Sequence, residues 1–225
     1  MITETGQINF TEAKLEDPFK SQRRDIEDFW KTYHRNNPDS YSEKVLNVFD
    51  LVKEENNYTL SIGWINFYES LYSKLTERIK TRTLFCARFM MTSDGYYCLA
   101  VDNNDHINLI GGVSSLKDVR DGRFIPDHCL IRECEEEIGV DIYQDGFDYS
   151  LKYIKIPKED EIYSPIGLIY EIKTDQTKNE LETVFLNTPH DNEIKSLKFF
   201  DSNEKDLFSK NKRRPYINEL FELIF

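Results

Sequence analysis

The sequence contains no long apolar run. A membrane-spanning helix needs about 20 consecutive apolar residues, and no stretch of the 225 residues has that character. Residues 1–6 also lack the basic segment followed by an apolar one that marks a secretion signal. We therefore expect neither export nor membrane insertion, and we expect the protein in the cytoplasm. With 39% hydrophobic residues the chain can still bury a substantial core.

Cysteine is scarce, and its spacing excludes the common cysteine-based sites. The chain has four cysteines, and none of them forms the C-x-x-C pair that zinc sites and redox motifs use. We expect them to be small buried residues in a reducing compartment. They are Cys86, Cys98, Cys129 and Cys134.

Positive charge is in deficit as well. The 29 lysines and arginines face 41 aspartates and glutamates, which leaves a net charge of −12. Affinity for nucleic acid depends on lysine and arginine displacing counterions, so we do not expect a nucleic-acid partner. One basic cluster, at residues 210–214, is interpreted as a solvated loop, although a substrate with an RNA 5′ end stays open.

Acidic side chains are instead concentrated in one short segment that follows Arg132. At about 100° per residue, three of its glutamates fall within roughly one third of a helix circumference. These three are Glu133, Glu136 and Glu137. Such a cluster is costly unless a positive group lies on it, and a divalent cation is the obvious candidate. A plain solvated acidic face is the alternative.

Residues 132–140 resemble the second half of the Nudix box, R-E-U-x-E-E-x-G-U, where U is a bulky apolar residue. They follow the pair Gly111-Gly112, as in that family. The first half departs from the pattern, because the 20 positions from Gly112 to Arg132 exceed the family spacing. The first box glutamate falls on Asp118 when counted forwards from Gly112 and on Phe124 when counted backwards from Arg132.

The resemblance implies a hydrolase of a nucleoside diphosphate linked to another moiety, dependent on Mg²⁺ or Mn²⁺. It assigns Glu136 and Glu137 as metal ligands, with the backbone carbonyl of Gly112. Glu133 would be a ligand or the base that acts on water, and Arg132 would orient its neighbours. Glutamate oxygens suit this role because magnesium prefers oxygen ligands.

Many members of the family recruit a further carboxylate from a later loop. Glu193, which precedes a strand-like segment, is our first candidate for such a base or ligand. The acidic run at residues 159–161 is the second candidate. Both groups also fit ordinary polar loops.

The pattern of elements predicts an α/β fold in two parts. We expect an N-terminal α+β extension of helix, hairpin and helix at residues 1–80, with the second helix at residues 67–79. We expect a Nudix domain at residues 81–225, an α/β/α sandwich around a mixed sheet in which a strand at residues 107–110 leads to the glycine pair. The extension is similar in arrangement to that of a branch that includes UDP-sugar hydrolases, which makes a nucleotide sugar the best guess for the substrate. Because family members often dimerise, the extension is also a candidate homodimer interface. Its aromatics, among them Tyr41 and Tyr68, fit core packing or substrate stacking.

Other functions remain open. The altered first half of the box would permit an inactive nucleotide sensor with the same fold, and a hydrolase could act on dinucleotides. Residues 102–105 suggest a calcium loop, but they lack the glycine and the final glutamate that such a loop requires.

Overall fold

The computed structural model describes residues 1–13, 17–38, 40, 42–144, 146–158, 160–191, 193–201 and 215–224. The helices are α1 (Arg23–Asn36), α2 (Phe67–Thr76), α3 (Pro126–Ile138), α4 (Lys178–Asn187) and α5 (Pro215–Ile224). The strands are β1 (Ile2–Glu4), β2 (Ile8–Glu12), β3 (Lys44–Glu54), β4 (Asn57–Asn66), β5 (Leu84–Met91), β6 (Tyr96–Asp102), β7 (Ile107–Asn108), β8 (Ile110–Val113), β9 (Val119–Arg120), β10 (Arg123–Phe124), β11 (Phe147–Lys155), β12 (Ile166–Thr174) and β13 (Ile194–Asp201). Three-residue 3₁₀ turns at Lys20–Gln22 and Leu116–Asp118 complete these elements.

An eight-stranded mixed sheet is the centre of the fold. Its strands run in the order β1-β11-β12-β5-β6-β13, with β8 paired to β5 and β7 paired to β6. β12 and β5 are parallel, whereas the other pairs are antiparallel. β5 therefore lies in the middle of the sheet, next to the strand that carries Gly111 and Gly112.

The two faces of this sheet bury different helices. On β5, Cys86 and Met90 belong to a core that includes apolar residues of α3 and α4. The alternate residues Ala87 and Phe89 belong to a second core with Ile217 of α5. This alternation is what a strand buried on both faces requires. The predicted α/β/α sandwich around a mixed sheet is confirmed.

The N-terminal part forms a second, three-stranded sheet in the order β2-β4-β3. Together with α1 and α2 it encloses a third core that includes Ile26, Val45 and Tyr72. β1, in contrast, pairs with β11 in the main sheet. A domain boundary near residue 80 stays a prediction.

Several elements differ from the sequence predictions. β1, β2 and α4 were not predicted, and the α2 helix, expected over residues 67–79, ends at Thr76 because Glu77 adopts a left-handed conformation with φ 54°. The strand expected at residues 107–110 is divided, since β7 pairs with β6 and β8 pairs with β5. The predictions for Tyr41 and for the basic residues 210–214 lie outside the described residues.

The structure also bears on the membrane-spanning helix and on the calcium loop considered above. Among the residues described, no helix combines the length and the apolar character that crossing a membrane requires. The proposed calcium loop is a turn between β6 and β7 in which Asp102 accepts backbone hydrogen bonds from Asn104 and His106. That turn joins two strands, so the helix–loop–helix context of a calcium loop is missing there.

Candidate functional site

The acidic segment is carried by α3, whose ends are fixed by the sequence. Pro126 occupies the first helical turn, and Gly139 ends the helix in the left-handed conformation with φ 69°. The N–H of Gly139 donates to the carbonyls of Cys134 and Glu135. One side of the helix is buried by Leu130, Cys134 and Ile138. The adjoining strip of the helix carries Glu133 and Glu137, which are also buried, and Glu133 faces Gly112 of β8.

Asp118 is the residue that the forward count from Gly112 assigns to the first box glutamate. Its carboxylate is fully buried and accepts two hydrogen bonds from Arg132, Nε to Oδ1 at 2.8 Å and Nη2 to Oδ2 at 3.0 Å. The backbone N–H of Ser115 also donates to Asp118. The extra residues of the box follow Asp118 and form the hairpin of β9 and β10. This contact with Arg132 favours the forward count from Gly112 over the backward count to Phe124, and the role of Asp118 stays a prediction.

Arg132 joins this aspartate to the glutamates of α3. Its Nη1 donates to Glu133 at 2.6 Å and to Glu136 at 2.8 Å. Lys117 approaches the other oxygen of Glu136 at 3.4 Å. A guanidinium fork of this kind fixes the orientation of the carboxylates it contacts, so the predicted orienting position of Arg132 agrees with the geometry.

Glu133 lies directly against the backbone of Gly112. A Cβ at position 112 would collide with the carboxyl group of Glu133, so this approach requires glycine. Glu133 is buried, and burial raises its pKa to about 6 although Arg132 opposes the shift. The carbonyl of Gly112 accepts a weak hydrogen bond from the Cys129 thiol, at 3.7 Å.

Glu137 is the least compensated carboxyl group of the site. Its side chain is buried, and its Oε2 has no hydrogen-bond partner among the described residues. The pKa of Glu137 is raised to about 8, mainly by burial and also by the charge of Glu133, against the opposing effects of the buried guanidinium of Arg88 and the backbone N–H of Gly111. A buried carboxylate of this kind needs another positive group before it can ionise freely at neutral pH.

Arg88 is a site residue that the sequence reasoning missed. It projects from β5 into the interior, is fully buried, and has two guanidinium nitrogens, Nε and Nη2, without a hydrogen-bond partner in the described structure. Its charge acts on Glu133 and Glu137 and lowers the pKa of each. The available signal was an arginine in the middle of the apolar strand sequence Leu84–Met91.

The loop before β13 brings two more carboxylates to the far end of α3. The backbone N–H of Asp191 donates to the carbonyl of Glu136 at 2.7 Å. Burial, Asp191 and Glu136 together raise the pKa of Glu193, which places Glu193 within electrostatic range of the helix. Glu161 has different neighbours, since Ser164 and lysine side chains lower its pKa, and residue 159 lies outside the described residues.

The side chains of the site offer the type of donor atom that a hard divalent cation binds. Glu133, Glu136 and Glu137 supply carboxylate oxygens, which are what Mg²⁺ and Mn²⁺ accept, and the Oε2 of Glu137 has no hydrogen-bond partner in the described part of the structure. Within the described ranges, no three acidic, histidine or cysteine side chains lie in an arrangement that could hold a metal ion as they stand. Arg132 instead holds Glu133 and Glu136 through its guanidinium.

Comparison with known proteins gives similarity in structure alone. No protein-family model matches this chain, and no curated protein does either. DR0079 from Deinococcus radiodurans aligns with a TM-score of 0.50 at 18% identity, covering 80% of this chain and 97% of that protein. A Nudix-family hydrolase from Clostridium perfringens has a TM-score of 0.40 at 15% identity, covering 62% of this chain and 93% of that protein. The Nudix domain of NrtR from Shewanella oneidensis, solved with ADP-ribose, aligns with a TM-score of 0.43 at 11% identity, covering 68% of this chain and 94% of that protein.

At these identities the similarity concerns the fold. The fold that the box resemblance predicts is confirmed. The roles assigned to individual glutamates stay predictions, and they depend on the geometry described above.

Proposed function

We propose that this chain, which has the Nudix fold, is an Mg²⁺-dependent pyrophosphohydrolase that cleaves a nucleoside diphosphate linked to another moiety. A nucleotide sugar is the substrate we favour. The observation that carries the proposal is Glu137, a buried carboxyl group with an unpartnered oxygen and a pKa of about 8. A fold gains nothing from such a group by itself, so its presence is best explained by a cation that binds to it.

We assign the cation to Glu136, Glu137 and the carbonyl of Gly112, with Glu133 as a further donor. Mg²⁺, or Mn²⁺ in its place, would neutralise the charge that develops on the leaving phosphate oxygen and lower the pKa of a bound water. Glu133 has a pKa of about 6, so at neutral pH it is mostly ionised and able to accept a proton from water.

Arg132 acts through the groups that it orients. Its two bonds to the buried Asp118 fix the guanidinium, and the remaining nitrogen fixes Glu133 and Glu136 on α3. Positioning of this kind reduces the reorganisation that a reaction would otherwise require. We therefore assign Arg132 as a positioning residue.

Glu193 is our candidate for an additional base or metal ligand. The support is its electrostatic coupling to Glu136 and the docking of its loop on α3 through Asp191. Burial and the charges of Asp191 and Glu136 raise the pKa of Glu193, which is the direction that a general base acting near neutral pH requires.

A small nucleotide derivative is the expected partner. The net charge of −12 disfavours a polyphosphate backbone, and a small substrate can bring its own magnesium. We also propose a cytoplasmic location, and a homodimer through the N-terminal part as the assembly to test first.

The test is a substrate panel read by product mass, with and without Mg²⁺. Nucleotide sugars, dinucleotides and capped RNA ends should be compared, and we expect Mg²⁺-dependent cleavage of a nucleotide sugar. The Glu137→Gln variant should lose turnover by orders of magnitude, whereas Glu135→Gln, on the exposed side of the same helix, should retain it. Binding of the panel without any cleavage would instead indicate the nucleotide sensor.

A further inference from the structure

A groove of about 990 Å³ lies between the N-terminal sheet and the hairpin that lengthens the box. Strands β2 and β4 form one wall, and β9, β10 and their turn form the other. Its volume matches that of sites for small ligands of nucleotide size. The groove is therefore formed by two features, the N-terminal sheet and the hairpin that lengthens the box.

Aromatic rings provide the apolar part of this groove. Trp64 of β4 is half-buried and makes no ring contact with another aromatic side chain in the described part of the chain. Phe124 of the hairpin meets Phe10 of β2 edge-on, with ring centroids 5.3 Å apart. An indole face without an aromatic neighbour is a platform on which a nucleobase can stack.

A cation and several polar groups supply the rest of the lining. The exposed guanidinium of Arg123 has no hydrogen bond or ion pair with any described residue. Asn9, Thr11 and Glu12 of β2 and Asp121 of the hairpin turn also line the groove. A planar apolar platform beside an uncommitted cation matches a ligand that is aromatic at one end and anionic at the other.

The groove is linked to the candidate metal site through the chain. Asp118, the partner of Arg132, directly precedes Val119, which lines the groove. Leu46, another lining residue, donates its backbone N–H to the carbonyl of Ser114, immediately after β8. These two links place walls of the groove next to the segments that carry Gly112 and the partner of Arg132.

We propose that this groove is the nucleobase-binding subsite of the enzyme, with Trp64 as the stacking platform and Arg123 as the residue that contacts the phosphate next to the nucleoside. The hairpin of β9 and β10 is then a specificity element. This inference rests on the proposed function, because it assigns the nucleoside end of the same substrate.

Trp64 can report on its own occupancy. The chain has only two tryptophans, and Trp30 stacks on Tyr33, His34 and Tyr68 of the N-terminal part. In a Trp30→Phe protein, the emission of Trp64 should be titrated in EDTA with AMP and UMP, and with ribose 5-phosphate as the probe that lacks a base. We expect a saturable change with at least one nucleotide and none with ribose 5-phosphate.

Two exposed arginines of the hairpin give a matched pair of variants. Arg123→Ala should weaken nucleotide binding about 10-fold, as expected for the loss of one charge-assisted contact. Arg120→Ala should leave it unchanged, since Arg120 faces Arg123 across the hairpin but does not line the groove. Because both side chains are exposed, neither variant should disturb folding.

The outcomes separate the two proposals. Base-dependent quenching without hydrolysis of any nucleotide sugar would support the groove and contradict the proposed function. Hydrolysis of a nucleotide sugar without any response of Trp64, or an equal response to ribose 5-phosphate, would overturn the groove and leave the proposed function in place. Equal effects of the two arginine variants would also overturn it.

Discussion

Replacing Glu137 with glutamine should change how the stability of the protein depends on pH. In the folded state without metal, burial raises the pKa of Glu137 to about 8 from an ordinary value of 4.5. The folded state therefore binds more protons than the unfolded state between these two values. Its stability must fall as pH rises through that window, because the unfolded chain gains its charge first.

The magnitude follows from the two pKa values. Proton linkage makes the buried group cost on the order of 3 kcal/mol of stability at pH 7, with a smaller cost at pH 5.5 and a larger one at pH 8.5. Glutamine has nearly the same shape and does not titrate. The stability of Glu137→Gln relative to the wild type should thus increase by about 3 kcal/mol between pH 5.5 and pH 8.5.

Urea unfolding in EDTA at several pH values measures this difference directly. Glu135→Gln is the matched control, since it removes a carboxylate from the same helix at an exposed position and should follow the wild-type curve. Addition of Mg²⁺ should stabilise the wild type, by about 2.7 kcal/mol at 100 times its Kd. It should stabilise Glu137→Gln much less, because a donor is lost.

One result would refute this reasoning. If the wild type and Glu137→Gln show parallel pH dependence in EDTA, then Glu137 is not an uncompensated buried carboxyl group in solution. The central observation behind the metal assignment would then be gone. A constant offset between the curves would not matter, because the amide group has its own fixed cost.

The remaining predictions concern the surroundings of this group. Gly112→Ala should destabilise the fold by about 1–3 kcal/mol, since its Cβ would collide with Glu133, and thermal unfolding with and without Mg²⁺ should show a smaller metal effect. Asp118→Asn should cost about 3–5 kcal/mol in urea unfolding, because it breaks a buried pair with Arg132, whereas Asp121→Asn in the exposed hairpin turn should cost less than about 0.5 kcal/mol. Mg²⁺ affinity measured by calorimetry should rise from pH 6 to pH 8 and then level off, because the two buried glutamates must lose their protons before they bind metal.

The box helix is predictable from sequence because local chemistry determines it. Apolar residues at helical spacing define its buried side, and Gly139 supplies the left-handed residue at which it ends. The pairing of Arg132 with Glu136 follows from the same spacing. These features need no knowledge of distant residues, so the prediction and the structure agree.

Other elements depend on partners that are remote in sequence. β1 is three residues long and is held by β11, about 150 residues away in the chain, so its own pattern carries little signal. α4 is a different case, since Thr177 and Glu180 form a capping box at its start. That pair is a recognisable signal of a helix N-terminus, and the sequence reasoning overlooked it.

The site residues likewise divide into those that local sequence predicts and those that depend on remote partners. The glutamates of α3 were found from their spacing, but Arg88 was not, because its importance depends on being buried beneath α3 rather than on any motif. Asp118 was one of two residues that an alignment of the lengthened box could assign to the first glutamate. Its two hydrogen bonds with Arg132 favour it, and no local pattern in the sequence does.

The lengthened box leaves the candidate metal site intact because the insertion closes on itself. The backbone N–H of Ile125, just after the hairpin, donates to the carbonyl of Asp118, just before it, at 3.0 Å. The chain therefore returns to its starting point before α3 begins, and the length of the hairpin does not alter the distance from Asp118 to Arg132. Extra residues at this position can add a wall to the substrate groove while the carboxylates of α3 keep their arrangement. The departure from the box pattern is thus compatible with the proposed metal site, and in our proposal it places the element that selects the nucleoside next to that site.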